Sequence, residues 1–169
     1  MISGLEGIAE YKYGECIYKM MEQNIIDIFY LEKKGIKGYA SIKEFIEKIK
    51  QREIYMVDTN SFRGRDINLK LLSKLTPVYD TWFESNIRWK DDVYDIILTG
   101  AKIAVLGGRK VDEKFLYSII EVTDNIALKS NDENLLKIFI SLGGKIVITD
   151  LEVDAPKRFR VMDGRLVEK

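Results

Sequence analysis

VYDTWFESNIRWKDDVYDIILTGAKIAVLGG, residues 78–108, decides the fold. It opens on a β-branched and aromatic run, Val78–Phe83, and continues with Val93, Ile96 and Ile97 at helical spacing. It then meets Gly100 and returns to an apolar run, Lys102–Leu106. Runs of that composition are strands, apolar residues three and four apart form one face of a helix, and a glycine just past them is a helix stop. The stretch is therefore one strand-helix-strand unit. Such a unit with short connections places its two strands parallel, through a right-handed crossover.

The same grammar extends outward. Further strands are expected at Ile54–Val57, Ile126–Leu128 and Lys145–Thr149, so that strands begin about 19 to 25 residues apart, at 54, 78, 102, 126 and 145. Ser41 followed by Glu44 is a capping box before Ile42, Phe45, Ile46 and Ile49, and Asp112 precedes Phe115, Leu116, Ile119 and Val122. Gly143-Gly144 closes the helix holding Leu135, Leu136 and Phe139. The first 53 residues are less regular: Gly7–Cys16 reads as a β-ribbon, Met20–Asn24 as a loop or short helix, and Ile25–Tyr30 as strand or helix. In the tail Arg158–Lys169, Asp163-Gly164 is a two-residue hairpin signal of type I′. Residues 1–169 read as one domain: an irregular first β-α unit over 1–53, regular repeats over 54–154, and a tail or hairpin over 155–169. Two architectures satisfy this order, a (β/α) barrel in full or reduced form and an open doubly wound parallel sheet. Both gather ligands at the carboxyl ends of the strands.

Composition narrows the chemistry. The chain has 169 residues, 27 Lys+Arg against 27 Asp+Glu, one cysteine, two prolines and no histidine. Without imidazole there is no Ser-His-Asp or Cys-His centre, and the commonest ligand of zinc and copper is missing, so no metal site is expected. Cys16 alone forms no internal disulfide and reads as an inert thiol. Zero net charge with interspersed signs argues against nucleic acid and membrane surfaces as partners. There is no run of about 18 apolar residues and no signal peptide, so the chain reads as soluble and cytoplasmic. Neither a Gly-x-Gly-x-x-Gly nor a phosphate-loop motif occurs, and no cofactor is expected.

Polar residues collect after each expected strand. Asp58, Glu84 and Asp150 read either as acid-base or cation-coordinating groups in a shared mouth, or as caps of the helices that follow. Asn60 and Arg88 stand in the same loops. Gly107-Gly108 with Arg109 is either an anion cradle or a plain tight turn. Lys129 is a Schiff-base amine, a phosphate contact or a solvated lysine.

Residues 54–72 (IYMVDTNSFRGRDINLKLL), 78–108 and 145–154 (KIVITDLEVD) together resemble the phosphoribosylformimino-aminoimidazolecarboxamide ribotide isomerases of histidine biosynthesis, most nearly their uncharacterised archaeal relatives. The likeness rests on the order and spacing of Asp58-Thr59-Asn60, Gly64-Arg65-Asp66-Ile67-Asn68, Glu84-Ser85-Asn86 and Leu106-Gly107-Gly108, and extends weakly to MISGLEGIAEYKYGE at residues 1–15. It implies a (β/α) barrel that binds a phosphosugar at the strand carboxyl ends. The family's isomerase uses an aspartate ending the first strand and another ending the fifth, and Ser3 and Lys129 hold those positions here. Asn86 stands where the phosphate grip after strand three expects a glycine, and the last two β-α units are absent.

The expected fold is thus a truncated TIM-type (β/α) barrel of about six parallel strands, including Ile2–Leu5, with a C-terminal hairpin. Barrels of this type usually have eight strands and about 250 residues. Six strands leave two open edges, to be patched by residues 7–30 and the tail or by pairing with a second chain. The expected function is binding of a phosphorylated sugar or other small anion at the mouth, without the parent Amadori isomerase activity. Asp58, Lys129 and Asp150 are its catalytic candidates, and Asn60, Glu84, Arg88, Gly107, Gly108 and Arg109 its ligand contacts. If the chain is an enzyme, sugar-phosphate isomerase or lyase chemistry is expected. The alternative is a non-catalytic subunit or interaction module, homodimeric or heteromeric, that pairs through open barrel edges.

Overall fold

The computed structural model describes residues 24–108 and 110–169. The strand expected at Ile2–Leu5, the ribbon Gly7–Cys16, Ser3 and Arg109 lie outside the described residues. The strands are β1 (Ile25–Glu32), β2 (Gly35–Ile36), β3 (Glu53–Asp58), β4 (Asp80–Ser85), β5 (Ile103–Leu106), β6 (Ile126–Lys129), β7 (Ile146–Ile148), β8 (Lys157–Met162) and β9 (Arg165–Glu168). The helices are α1 (Ile42–Lys48), α2 (Thr59–Phe62), α3 (Leu69–Leu75), α4 (Lys90–Leu98), α5 (Glu113–Ile120) and α6 (Glu133–Ser141).

The repeats form where their signals stand. Ser41 accepts the Glu44 amide at the start of α1, and Asp112 accepts the Phe115 amide at the start of α5. Gly100 and Gly143, just past α4 and α6, take φ of +100° and +95°, a conformation that only glycine adopts without penalty.

The circuit differs from the expected six parallel strands with two open edges. β1, β3, β4, β5, β6, β7 and β8 pair in parallel in that order. β8 then turns back antiparallel into β9, which pairs antiparallel with the first half of β1 and closes an eight-stranded mixed barrel. Asp163 and Gly164 make that turn at φ +49° and +72°, as a type I′ hairpin requires. Closure excludes the open doubly wound sheet. It also removes, among the described residues, the open barrel edges through which an interaction module was expected to pair. Ile25–Tyr30, ambiguous in sequence, lies in the strand that takes first place in the circuit.

One crossover lacks a helix. Between β7 and β8 the chain is neither helix nor strand, and Leu151, Val153 and Ala155 at alternate positions pack on the outer core where a helix would otherwise lie. The outer core fills the space between sheet and helices, with Met56, Phe83, Leu106 and Leu128 from the strands against Leu72, Ile96, Ile119 and Phe139. Inside the barrel, Tyr55, Trp82 and Phe159 fill the middle, the last two ring to ring at 5.2 Å. Below them Glu53 accepts from Trp82 Nε1 at 2.8 Å and from Lys102 Nζ at 2.6 Å. The aromatic layer plugs the barrel, leaving space at the strand carboxyl ends.

Candidate functional site

Strand alternation decides what faces that space. Tyr55 and Trp82 belong to the inner core, so Val57 and Glu84, two residues on, point inward as well. Ala127 likewise carries Lys129 to the inside. The Glu84 carboxylate, 5% exposed, lies at the top of the packed interior. Its Oε1 and Oε2 accept from Lys129 Nζ at 2.9 and 2.8 Å, and Oε2 also accepts from Tyr55 Oη at 2.7 Å. Burial pushes the Tyr55 phenol well above its ordinary 10.0, and the Glu84 charge and hydrogen bond push it the same way. Tyr55 is therefore held as the phenol that donates to Glu84.

Above this pair opens a cavity of about 370 Å³, lined by Glu84, Gly107, Lys129, Ser130, Asn131, Ile148, Thr149, Asp150 and Val161. Gly107 stands close to the pair: a Cβ there would lie 3.0 Å from Glu84 Oε1 and press on that carboxylate. Asn131 shapes the opposite wall, accepting from Thr149 Oγ1 and the Asp150 amide, each at 2.9 Å. Asp150 is exposed and sits 3.7 Å from Arg160.

Of the residues singled out in sequence, Lys129, Glu84, Gly107 and Asp150 thus meet at one cavity. The others stand elsewhere. Asp58 falls on the alternate face of its strand, where both carboxylate oxygens are taken by backbone amides, Asn60 at 3.2 Å and Asn68 at 2.8 Å. Burial raises its pKa above the ordinary value while those amide bonds pull it down. The Asn60 amide is a clamp, accepting from Lys33 N at 3.0 Å and donating to Lys33 O at 3.1 Å. Arg88 lies 3.7 Å from Asp66 and lines a separate hollow with Trp89 and Lys110. Gly108 packs on the Asn86 side chain and the Ile87 backbone, where a Cβ would come within 2.9 Å of Asn86 Oδ1.

Sequence reading did not single out Tyr55 or Val161, and Asn131 stood only among the polar residues that follow the strand ending at Leu128. Tyr55 also left a signal, two residues before a strand end and so on the face that Val57 shares. With Ile2–Leu5 outside the described residues, the inward residue near the end of the first barrel strand is Tyr30, which stays 40% exposed.

No protein-family model matches the chain, and no curated protein matches its sequence. No helix among the described residues is long and apolar enough to cross a membrane.

Proposed function

We propose that the mouth of this barrel binds a small anionic, hydroxyl-bearing compound, a phosphorylated sugar being the class implied by the likeness to the histidine-pathway isomerases, and that Lys129 is its principal contact. The observation that supports this reading is the Glu84-Lys129 pair beneath an open cavity. A buried carboxylate is costly to desolvate, and apolar residues would fill the same volume at no loss of stability. An ammonium has three N–H groups, so two bonds to Glu84 leave one for a ligand. Lys129 then offers a donor to a phosphate or a developing oxyanion, and Glu84 is a base held beside it. This set performs proton transfer. Among the described residues its second carboxylate is Asp150, exposed and arginine-paired, which argues against the two-aspartate Amadori rearrangement of the parent family.

Thermal melting with ribose 5-phosphate and related sugar phosphates tests the reading. The wild type is expected to melt higher with ligand, and Lys129→Ala to lose that shift. Flat melting of the wild type across the series, or an equal shift in Lys129→Ala, would overturn it.

A further inference from the structure

A second concave surface lies between the β1-β2 turn and the start of α3. It encloses about 270 Å³ and is lined by Lys33, Lys34, Lys70 and Lys74 over Asn68, Leu71 and Ile42, with no acidic side chain among the described residues. It shares no residue with the mouth cavity. Among the described residues none of its four lysines sits in an ion pair with an acidic side chain. Lys70 and Lys74 also stand four apart on α3, a like-charge spacing that weakens a helix.

The two walls are fixed to one frame. Lys33 takes φ +53°, which few residues other than glycine adopt, and the Asn60 amide holds it there through both its backbone groups. The other wall begins at Asn68, whose amide is bonded to the Asp58 carboxylate. Asn60 and Asp58 belong to the same β3-α2 segment, so one segment holds the backbone of both walls.

In a chain of zero net charge, four lysines that are unpaired among the described residues and line one concavity concentrate positive charge that a multivalent anion would neutralise. We propose that this hollow binds a condensed phosphate, free or as the tail of a small molecule, at a site separate from the barrel mouth.

Calorimetric titration with pyrophosphate, orthophosphate and ADP at matched ionic strength tests this. Pyrophosphate is expected to bind at least tenfold more tightly than orthophosphate. The Lys70→Gln, Lys74→Gln double variant is expected to weaken it at least tenfold, the Lys33→Gln, Lys34→Gln double variant on the opposite wall to do the same, and Lys129→Ala to leave it unchanged. ADP binding as tightly as pyrophosphate assigns the site to a diphosphate tail, and weaker ADP binding assigns it to the free anion. Without ligand the Lys70→Gln, Lys74→Gln variant should melt no lower than the wild type, because a repulsion has been removed. Equal affinity for pyrophosphate and orthophosphate, undiminished binding in both double variants, or loss of binding in Lys129→Ala alone overturns the proposal. The last outcome would place the anion at the mouth and leave the reading of that site standing.

Discussion

Glu84 and Asp58 are both strand-end carboxylates buried beneath loops, yet their surroundings give them opposite chemistry. Glu84 meets a cation and a phenol, so removing either leaves a buried charge short of a partner. Lys129→Ala should lower stability in urea by about 1–2 kcal/mol, less than a fully buried pair would lose because Lys129 keeps 37% side-chain exposure. Tyr55→Phe should cost about 1.5–3 kcal/mol, the range for a bond to a charged group. Asp58 meets only backbone amides, and desolvation leaves its pKa above 3.8. The native state therefore takes up this proton before the unfolded chain does. The stability that protonation confers is present below 3.8 and is lost as pH rises through the raised native value. Measured against Asp58→Asn, the wild type should lose relative stability as pH climbs through that window, and a gain with rising pH would refute the assignment. Sequence cannot separate the two carboxylates. Both faces of β3 and β4 are apolar, with Ile54 and Met56 on one side and Tyr55 and Val57 on the other, so nothing in the pattern says which side is the lumen. One step of register divides a cap from a candidate site.

At the scale of elements, legibility followed local signals. Each helix from α1 onward that announced itself by a cap or a closing glycine formed there, because caps and positive φ are satisfied within a few residues. β1 gave no such signal: IIDIFYLE is a short apolar run that suits a buried strand or a helix equally, and pairing with β3 and β9 decides between them. The β7-β8 crossover was invisible for a related reason, since Leu151, Val153 and Ala155 alternate like a strand while pairing with none. Gly144 shows how tightly these units are seated. A Cβ there would fall 2.4 Å from the Phe139 ring, which is wholly buried against the sheet. Gly144→Ala should therefore destabilise the chain by about 1–3 kcal/mol by thermal denaturation, the usual cost of overpacking. Gly143→Ala meets no neighbouring atom, and its smaller cost, about 1 kcal/mol, arises from φ alone.

For the whole molecule, the question is how a sheet with too few β-α units avoids open edges. A parallel strand needs a crossover before it and leaves its far side unpaired, whereas a hairpin reverses at once and supplies a strand with two usable sides. β9 uses both, bonding β8 along Phe159 to Met162 and β1 along Ile25 to Asp27. Asp163-Gly164 was legible as a turn, but its role in closure was not, because its partner β1 lies more than a hundred residues earlier and no local pattern encodes that contact. Closure also seats the mouth: Val161 of β8 and Ile148 of β7 form one wall of the cavity that Glu84 and Lys129 floor. Ending the chain at Pro156 would leave one side of β7 and of the first half of β1 unpaired and remove Phe159 and Leu166 from the inner core. Light scattering should then show larger assemblies than the full chain forms, since exposed edges pair with other chains. Leu166→Asp leaves the hairpin in place but puts a charge against the inner core, and it should give the same outcome if inward packing of β9 holds the circuit shut. If the truncated chain scattered like the full one and gave the same melting shift with the proposed sugar phosphates, closure by the hairpin would have no part in building the site.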